Sequence, residues 1–341
     1  MGELMRAAQL MRPNSPLEVR RIPVPKPQNG ELLVKIEASG ICHTDLHVRE
    51  AVKFPPGSPQ PLTLGHEGIG EVVEQGPGTV TAVGTRVGVP WLHEACAHCR
   101  SCLTGWESFC PSHLAHGYTV NGTFAEYIIV KERYTVALTN DLDSFIAAPH
   151  MCAGVTAYGG VQKAELTPGK LAVILGCGGL GQYGIQLAKL TGASVVAVDT
   201  NPAKLDKALQ QGADAVFLAG GDTAGKIKSL GGADAVINFA PSNRIWPMVT
   251  GMVNNFAVIV SVAMVAEPVP LVLEWLTYNG VYITGTSVGT RQQMSDFLRL
   301  AARHGLKVDI ERIDLSEVNL ALDRLARGEV EGRFVVDLRR H

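Results

Sequence analysis

The chain has 341 residues, 46% of them hydrophobic and 18% charged, with a formal net charge of -2. That length exceeds the roughly 250–300 residues at which a single hydrophobic core stops growing, so two domains are expected. The sparse charge points to extensive burial, and the near-neutral balance argues against nucleic acid or an anionic membrane as a partner.

The N-terminal stretch Met1-Gly2-Glu3-Leu4-Met5-Arg6 has no charged-then-apolar signal pattern, and the longest apolar run, Phe256 to Ala266, is too short to span a bilayer. A cytoplasmic protein is expected. Seven cysteines, an odd number without a secretion signal, favour metal ligands over disulfides. Along the chain, Cys42-His43-Thr44-Asp45-Leu46-His47 first packs a thiol, a hydroxyl, a carboxylate and two imidazoles together. Gly65-His66-Glu67-Gly68 and Met151-Cys152-Ala153-Gly154 add another imidazole, carboxylate and thiol. Taken singly, such residues are more often packed core than ligands.

Between them stand Cys96, Cys99, Cys102 and Cys110, in a C-x2-C-x2-C-x7-C array that matches the tetrahedral all-sulfur site of structural zinc. The stretch His93 to Cys102 that they close has almost no aliphatic content with which to build its own core, so metal binding would supply its ordering energy. The alternatives are a pair of disulfides, or a redox C-x-x-C pair, which needs a βαβ context absent from this stretch.

The second half reads as a nucleotide-binding α/β unit. Leu171 to Leu175 is a short apolar strand run, followed at once by Gly176-Cys177-Gly178-Gly179-Leu180-Gly181 and then by Leu180, Tyr183, Gly184, Leu187, Ala188 and Leu190 on one helical face, with Gly192 as the stop. Gly176, Gly178 and Gly181 fit G-x-G-x-x-G: the first allows the turn, the second lets backbone approach a pyrophosphate, and the third packs helix on strand. Cys177 fills a tolerant position of that motif. Ser194 to Val198 is a second buried strand ending at Asp199, where a carboxylate accepts hydrogen bonds from ribose hydroxyls and repels a 2'-phosphate, favouring NAD over NADP. Asn201-Pro202 opens a further helix that Gly212 closes, and apolar runs follow at Ala235 to Phe239, Phe256 to Val262 and Val281 to Thr284. Alternating strands and helices predict a doubly wound parallel sheet over about 153–286.

Gly40-Ile41-Cys42-His43-Thr44-Asp45, Gly65-His66-Glu67, the four-cysteine loop, Cys152-Ala153-Gly154-Val155-Thr156 and the Gly176 to Gly181 turn occur in the order and spacing of the zinc-dependent, medium-chain alcohol dehydrogenases. The resemblance runs nearly end to end, to Glu331-Gly332-Arg333-Phe334-Val335-Val336-Asp337, and is closest to the short, tetrameric bacterial and yeast branch. It implies a mostly β, GroES-like catalytic domain over 1–152 and 287–341, a structural zinc loop at 93–111 and a Rossmann NAD-binding domain over 153–286, with catalysis in the cleft between them. It implies two Zn2+ per subunit: a catalytic one on Cys42, His66 and Cys152, and a structural one on the four-cysteine array. Asp45 would then hold the His66 ring, Glu67 would lie behind the metal and transiently ligate it, Thr44 would hydrogen-bond the alcohol oxygen, and His47 would pass its proton to solvent. His43 and Arg333 would face the cofactor pyrophosphate, Asp199 and Lys204 the adenosine ribose, and Thr156, Gly179 and Leu180 complete the cofactor set. Trp91 resembles a substrate-pocket residue of this branch, whereas His93, His98, His113, His116 and His150 match no ligand position and read as structural or solvated. The chain departs from the family pattern at Val253 to Ala257 and Ser261 to Met264, where glycine-containing turns are frequent.

The resemblance therefore implies reversible oxidation of a small alcohol to an aldehyde or ketone with NAD(H), in a homo-tetramer. A polyol dehydrogenase of the same superfamily is the nearest alternative, but those often lack the full cysteine loop or carry Glu in place of Cys152. A zinc- and NAD-binding sensor without turnover is opposed by the intact Cys42, Thr44, His47, His66 and Cys152, and a nucleic-acid module by the lack of a basic surface.

Overall fold

The structure, a computed structural model, describes residues 2–139 and 141–340. It divides into two compact units, one made of Met1–Ala153, Thr290–Gly305 and Asp309–His341, the other of Gly154–Gly289 with Leu306–Val308. Among the described residues no helix is long and apolar enough to cross a membrane.

The second unit is built on a wholly parallel six-stranded sheet. Across the sheet the order is Ala215–Leu218, Ser194–Asp199, Leu171–Leu175, Ala233–Asn238, Val253–Ser261 and Tyr282–Gly285. Crossover helices cover both faces of such a sheet, which is why the inner strands are apolar on both sides: Ala172, Val173, Ile174, Val195, Val196 and Ala197 are all buried. The chain order reverses between Leu171–Leu175 and Ala233–Asn238, the switch point at which doubly wound sheets open a crevice beyond the carboxyl ends of their strands. Ala215–Leu218 lies outside the apolar runs predicted above. Its four residues, Ala-Val-Phe-Leu, are all apolar, but a run this short does not by itself tell strand from helix, and as an edge strand it is only half-buried.

The helix Gly179–Leu190 buries Tyr183, Gly184, Leu187 and Ala188 as their spacing predicts, but it also buries Gln182 and Ile185 and turns Leu190 to solvent. Asn201 caps Pro202–Gln210 by accepting the Ala203 N–H at 2.9 Å, and the chain reverses at Gly212, φ +102°. The strand Val253–Ser261 pairs in register at Ala233↔Val253 and resumes at Ala235↔Val258, leaving Phe256 in a left-handed conformation, φ +63°, and 74% exposed. An L-residue in that region is strained by about 1–2 kcal/mol, and asparagine tolerates it far better than phenylalanine. Phe256→Asn is therefore expected to raise the melting temperature by about 1–3 °C; a lower melting temperature would show that the ring contributes more than the strain removes.

In the first unit Glu31–Gly40 is the central strand of a seven-stranded sheet. It pairs antiparallel with Gly68–Gln75 on one side and with Tyr127–Lys131 and Arg333–Asp337 on the other. Leu32, Val34 and Ile36 of this strand share a core with Leu62, Leu64, Val72, Phe124 and Val336. The register Ser39↔Gly68 and Gly40↔Val335 brings the end of one strand and the beginnings of two others to a single rim. Cys42, the His66-Glu67 pair and Arg333 all sit at that rim.

Candidate active site and metal centres

Cys42 precedes the helix His43–Glu50 in extended backbone, and Asp45 folds back so that its Oδ2 accepts the Cys42 N–H at 2.8 Å. The other oxygen, Oδ1, accepts the Gly65 N–H at 3.1 Å and lies 3.2 Å from His66 Nδ1, though off the line of a good hydrogen bond. One buried carboxylate thus ties together the two segments that carry Cys42 and His66. Cys152 arrives from the short helical turn Ala148–Met151. Ligand atoms of Cys42, His66, Glu67 and Cys152 lie within 4.8 Å of one another, and all four residues are buried.

His66 Nε2 is fully enclosed and has no hydrogen-bond partner. A buried polar atom without a partner costs on the order of 1–3 kcal/mol, so its natural complement here is a cation. Two thiols, an imidazole and a carboxylate are a donor set that zinc accepts, with room for a substrate when only three of them bind. The residues fit that metal. Zinc takes thiolates and a neutral imidazole: a hydrogen bond from the Cys152 thiol readies Cys42 by pushing it well below the ordinary thiol range despite burial, whereas Cys152, keeping the shared proton, is pushed up and would release that proton on metal binding. Burial alone would lower His66, but Asp45 and Cys42 outweigh it and the net shift is upward.

Glu67 is pushed up to about 7, first by burial, with the nearby Cys42 also raising it and Arg333 opposing the rise. The guanidinium of Arg333, itself buried, donates to Glu67 Oε1, while Arg333 Nε and Glu67 Oε2 remain unpaired. Gly40 makes room for this carboxylate, since a Cβ there would collide with Glu67 Oε2. Thr44 Oγ1 lies 3.8 Å from Cys42 Sγ, beside the quartet. His43 and His47, one helical turn apart, are exposed, with ring centroids 6.3 Å apart. Trp91, half-buried, meets the His66 ring edge-on at 5.0 Å and 87°, and Tyr118 lies 5.4 Å beyond it. Nothing in the sequence pattern singled out Tyr118 or the close approach at Gly40.

The four-cysteine loop also gathers its sulfurs within 4.8 Å, with Cys99 to Cys102 at 3.6 Å and Cys96 to Cys102 at 3.9 Å, which is contact and not a disulfide. Backbone N–H groups of His98 and Cys99 draw Cys96 down to about 6, whereas burial and Cys99 push Cys102 up to about 12. Four thiols crowded this way resist losing all their protons, which a divalent cation would reverse. The loop's own core is only Leu92, Ala95, Cys110 and Tyr134. Of the remaining histidines, His98 and His113 approach the carbonyls of Cys96 and Cys110 at 2.7 Å, and His93, His116 and His150 are buried.

In the second unit the glycine turn sits at the end of Leu171–Leu175. Gly176 has φ +86°, a Cβ on Gly181 would strike the Gly176 carbonyl, and a Cβ on Gly178 would meet nothing within 4 Å. That open space over Gly178, at the uncapped N-terminus of Gly179–Leu190, is what a pyrophosphate needs. Asp199 accepts the Cys177 N–H at 2.7 Å and the Asn201 N–H at 2.9 Å, so its carboxylate is fixed at the turn with lone pairs to spare. Lys204 is near enough to Cys177 to oppose the upward shift of that thiol. Leu180 is half-buried in the first helical turn, and the Thr156 hydroxyl is buried without a partner.

A doubly wound sheet with a glycine turn open to phosphate, together with two sulfur-rich donor sets in a β-rich unit, defines a metal-dependent, dinucleotide-using oxidoreductase. Comparison with known proteins agrees. Residues 28–140 match the alcohol dehydrogenase GroES-like domain and residues 179–303 the zinc-binding dehydrogenase domain. An alcohol dehydrogenase of Geobacillus stearothermophilus is 39% identical over 335 residues, 97% of this chain and 99% of its own. Two solved structures are similar in fold. The alcohol dehydrogenase of the hyperthermophilic archaeon Aeropyrum pernix has a TM-score of 0.89 and 29% identity, covering 97% of this chain and 99% of that one. The acetophenone reductase of Geotrichum candidum, in complex with NAD, has a TM-score of 0.88 and 26% identity, covering 99% and 98%. The chain belongs to the zinc-dependent medium-chain alcohol dehydrogenase family.

Proposed function

We propose that this protein oxidises a small alcohol reversibly to an aldehyde or ketone by hydride transfer to NAD+, with 1–152 and 287–341 as catalytic domain and 153–286 as NAD-binding domain. The observation that carries this reading is the buried quartet of Cys42, His66, Glu67 and Cys152 with its unpartnered His66 Nε2. Zinc held by Cys42, His66 and Cys152 supplies a Lewis acid that stabilises negative charge on the substrate oxygen, and bound NAD+ supplies the hydride acceptor. Asp45 keeps the His66 ring oriented, as a partner behind a ligand must. Glu67 waits behind the three ligands, restrained by Arg333. The Thr44 hydroxyl accepts the hydrogen bond of the alcohol, and His47, exposed three residues further along the same helix, passes the proton to water, a task for which an imidazole is suited near neutrality.

On the cofactor side Gly176, Gly178, Gly179, Leu180 and Gly181 cradle the pyrophosphate with His43 and Arg333, Thr156 offers its free hydroxyl, and Asp199 with Lys204 takes the adenosine ribose. A second, structural zinc occupies Cys96, Cys99, Cys102 and Cys110. The homo-tetramer draws support from the exposed apolar side chains Phe256, Leu273, Tyr278 and Tyr282 of the second unit, and a cytoplasmic location suits its free thiols. The test is NADH formation, followed by absorbance, over a panel of primary and secondary alcohols with each cofactor. NAD+ is expected to exceed NADP+ in kcat/KM by about tenfold or more, because the Asp199 charge would meet a 2'-phosphate, and Asp199→Gly should narrow the gap. No turnover with any alcohol would sink the reading, and equal use of both cofactors would sink the ribose assignment.

A further inference from the structure

Trp91 is held by two histidines that belong to neither ligand set. His116 donates its backbone N–H to the Trp91 carbonyl at 2.9 Å, and its Nδ1 lies 2.8 Å from the Pro90 carbonyl. A carbonyl oxygen only accepts, so Nδ1 carries the proton and Nε2 is left as an acceptor. His93 Nδ1 meets that Nε2 at 2.9 Å and must supply the proton, which sets the tautomer of both rings. Burial keeps the pair neutral, pushing His93 down to about 4, with Lys131 adding to the effect and Glu31 opposing it, and His116 to about 3, with His93 and His66 adding to it. Tyr118, in the same turn as His116, lays its ring against Trp91. The segment Pro90-Trp91 is therefore gripped at two carbonyls and at the indole, and the indole rests on the ring of His66.

We infer that His116, braced by His93, is a positioning residue that holds Trp91 against His66 and thereby sets the size of alcohol accepted, with Tyr118 as the second aromatic of that wall. The inference rests on the alcohol dehydrogenase reading of the quartet. An indole fixed at this many points cannot swing aside to admit a bulky group, and the wall it forms stands beside the ligand imidazole, where the carbinol carbon must lie. Without the His116 side chain the Pro90 carbonyl loses its donor, and the indole gains freedom to move away from His66.

His116→Leu keeps the approximate size and removes the donor. His116→Asn places an amide N–H where Nδ1 stood. In His116→Leu the kcat/KM ratio of benzyl alcohol to ethanol is expected to rise about tenfold, carried by KM, with zinc content unchanged, and His116→Asn is expected to restore most of the parent ratio. The emission of Trp91, taken as the difference between each protein and its Trp91→Phe counterpart, should shift to the red in His116→Leu and return in His116→Asn. An unchanged ratio together with unchanged Trp91 emission in His116→Leu overturns the inference. If His116→Leu fails to fold, His93→Leu, which removes only the brace, should show the same changes in smaller measure, and no change there overturns the inference equally. If the parent oxidises no alcohol, the functional reading alone has failed, and the Trp91 emission still decides whether His116 positions the indole.

Discussion

Cys42→Ser is expected to lower kcat by about a thousandfold or more while leaving the melting temperature close to that of the parent, because a hydroxyl is a poor substitute for a thiolate at zinc and the quartet lies beside a core that holds together without it. Leu32, Val34, Ile36 and Phe124 belong to a core that does not include the quartet. Cys99→Ser is expected to do the opposite. The four-cysteine loop has little else to order it, so losing one sulfur should lower the melting temperature by several degrees and leave the activity of the molecules that remain folded near the parent value. Thermal melts and initial rates on both variants, with elemental analysis of the parent, read this directly. Fully active parent with at most one zinc per subunit would dismiss the two-centre reading.

Below pH 6.5 the buried histidines are expected to draw stability down, with Glu67, raised to about 7, opposing them in part. His93, His116 and His150 are buried and neutral in the fold, with pKa values pushed down to about 4, about 3 and about 4, in each case chiefly by burial. In the unfolded chain each returns to about 6.5. Between those limits the unfolded state binds more protons than the folded one, so stability falls as pH falls, by about 1.4 kcal/mol per pH unit for each histidine that titrates only on unfolding. The effect is absent above pH 6.5, complete near pH 4 for His93 and His150, and complete near pH 3 for His116. His150→Leu exchanges one of these rings, packed edge-on against Phe297 at 5.2 Å, for an apolar group of similar size. Its plot of unfolding free energy against pH, from denaturant melts between pH 5 and 7.5, should be shallower than the parent's by about 1.4 kcal/mol per unit. Any loss of metal in acid is common to both proteins and cancels in the comparison. Equal slopes would show that His150 is protonated inside the fold.

The features legible along the chain were those whose physics is local. Four cysteines in one short loop declare a candidate metal site, because the ligands of a closed tetrahedral centre can all come from one loop, and the structure gathers their sulfurs within 4.8 Å. The glycine turn after Leu171–Leu175 is equally plain, since a positive φ at Gly176 and a close approach at Gly181 each exclude a side chain, while Gly178 leaves open the space that a pyrophosphate needs. Asn201-Pro202 marked a helix start because capping acts within a few residues. Cys42, His66 and Cys152 are different: each alone looks like an ordinary core residue, and only a resemblance to a known family joined them. The antiparallel register of Glu31–Gly40 with Gly68–Gln75 carries Cys42 and His66 to one rim, and the turn Ala148–Met151 delivers Cys152 beside them.

Other decisions belonged to tertiary structure alone. Leu190 has the spacing of a buried helical residue and yet, as the last residue of its helix, faces solvent, and Ala215–Leu218 is an apolar run too short to be told from a helical segment until the sheet pairs it. Phe256 occupies a backbone conformation its own sterics disfavour, fixed by the register slip between Ala233 and Ala235. The His93–His116 pair leaves no trace in periodicity or spacing, because it forms only once the strand Leu92–Glu94 pairs with Leu114–Ala115, two segments far apart along the chain. Local sterics, capping and ligand spacing were written in the sequence; convergence at the rim, the restraint on Trp91 and the protonation of buried groups came only with the packed chain, where distance and desolvation act on residues that are far apart along it.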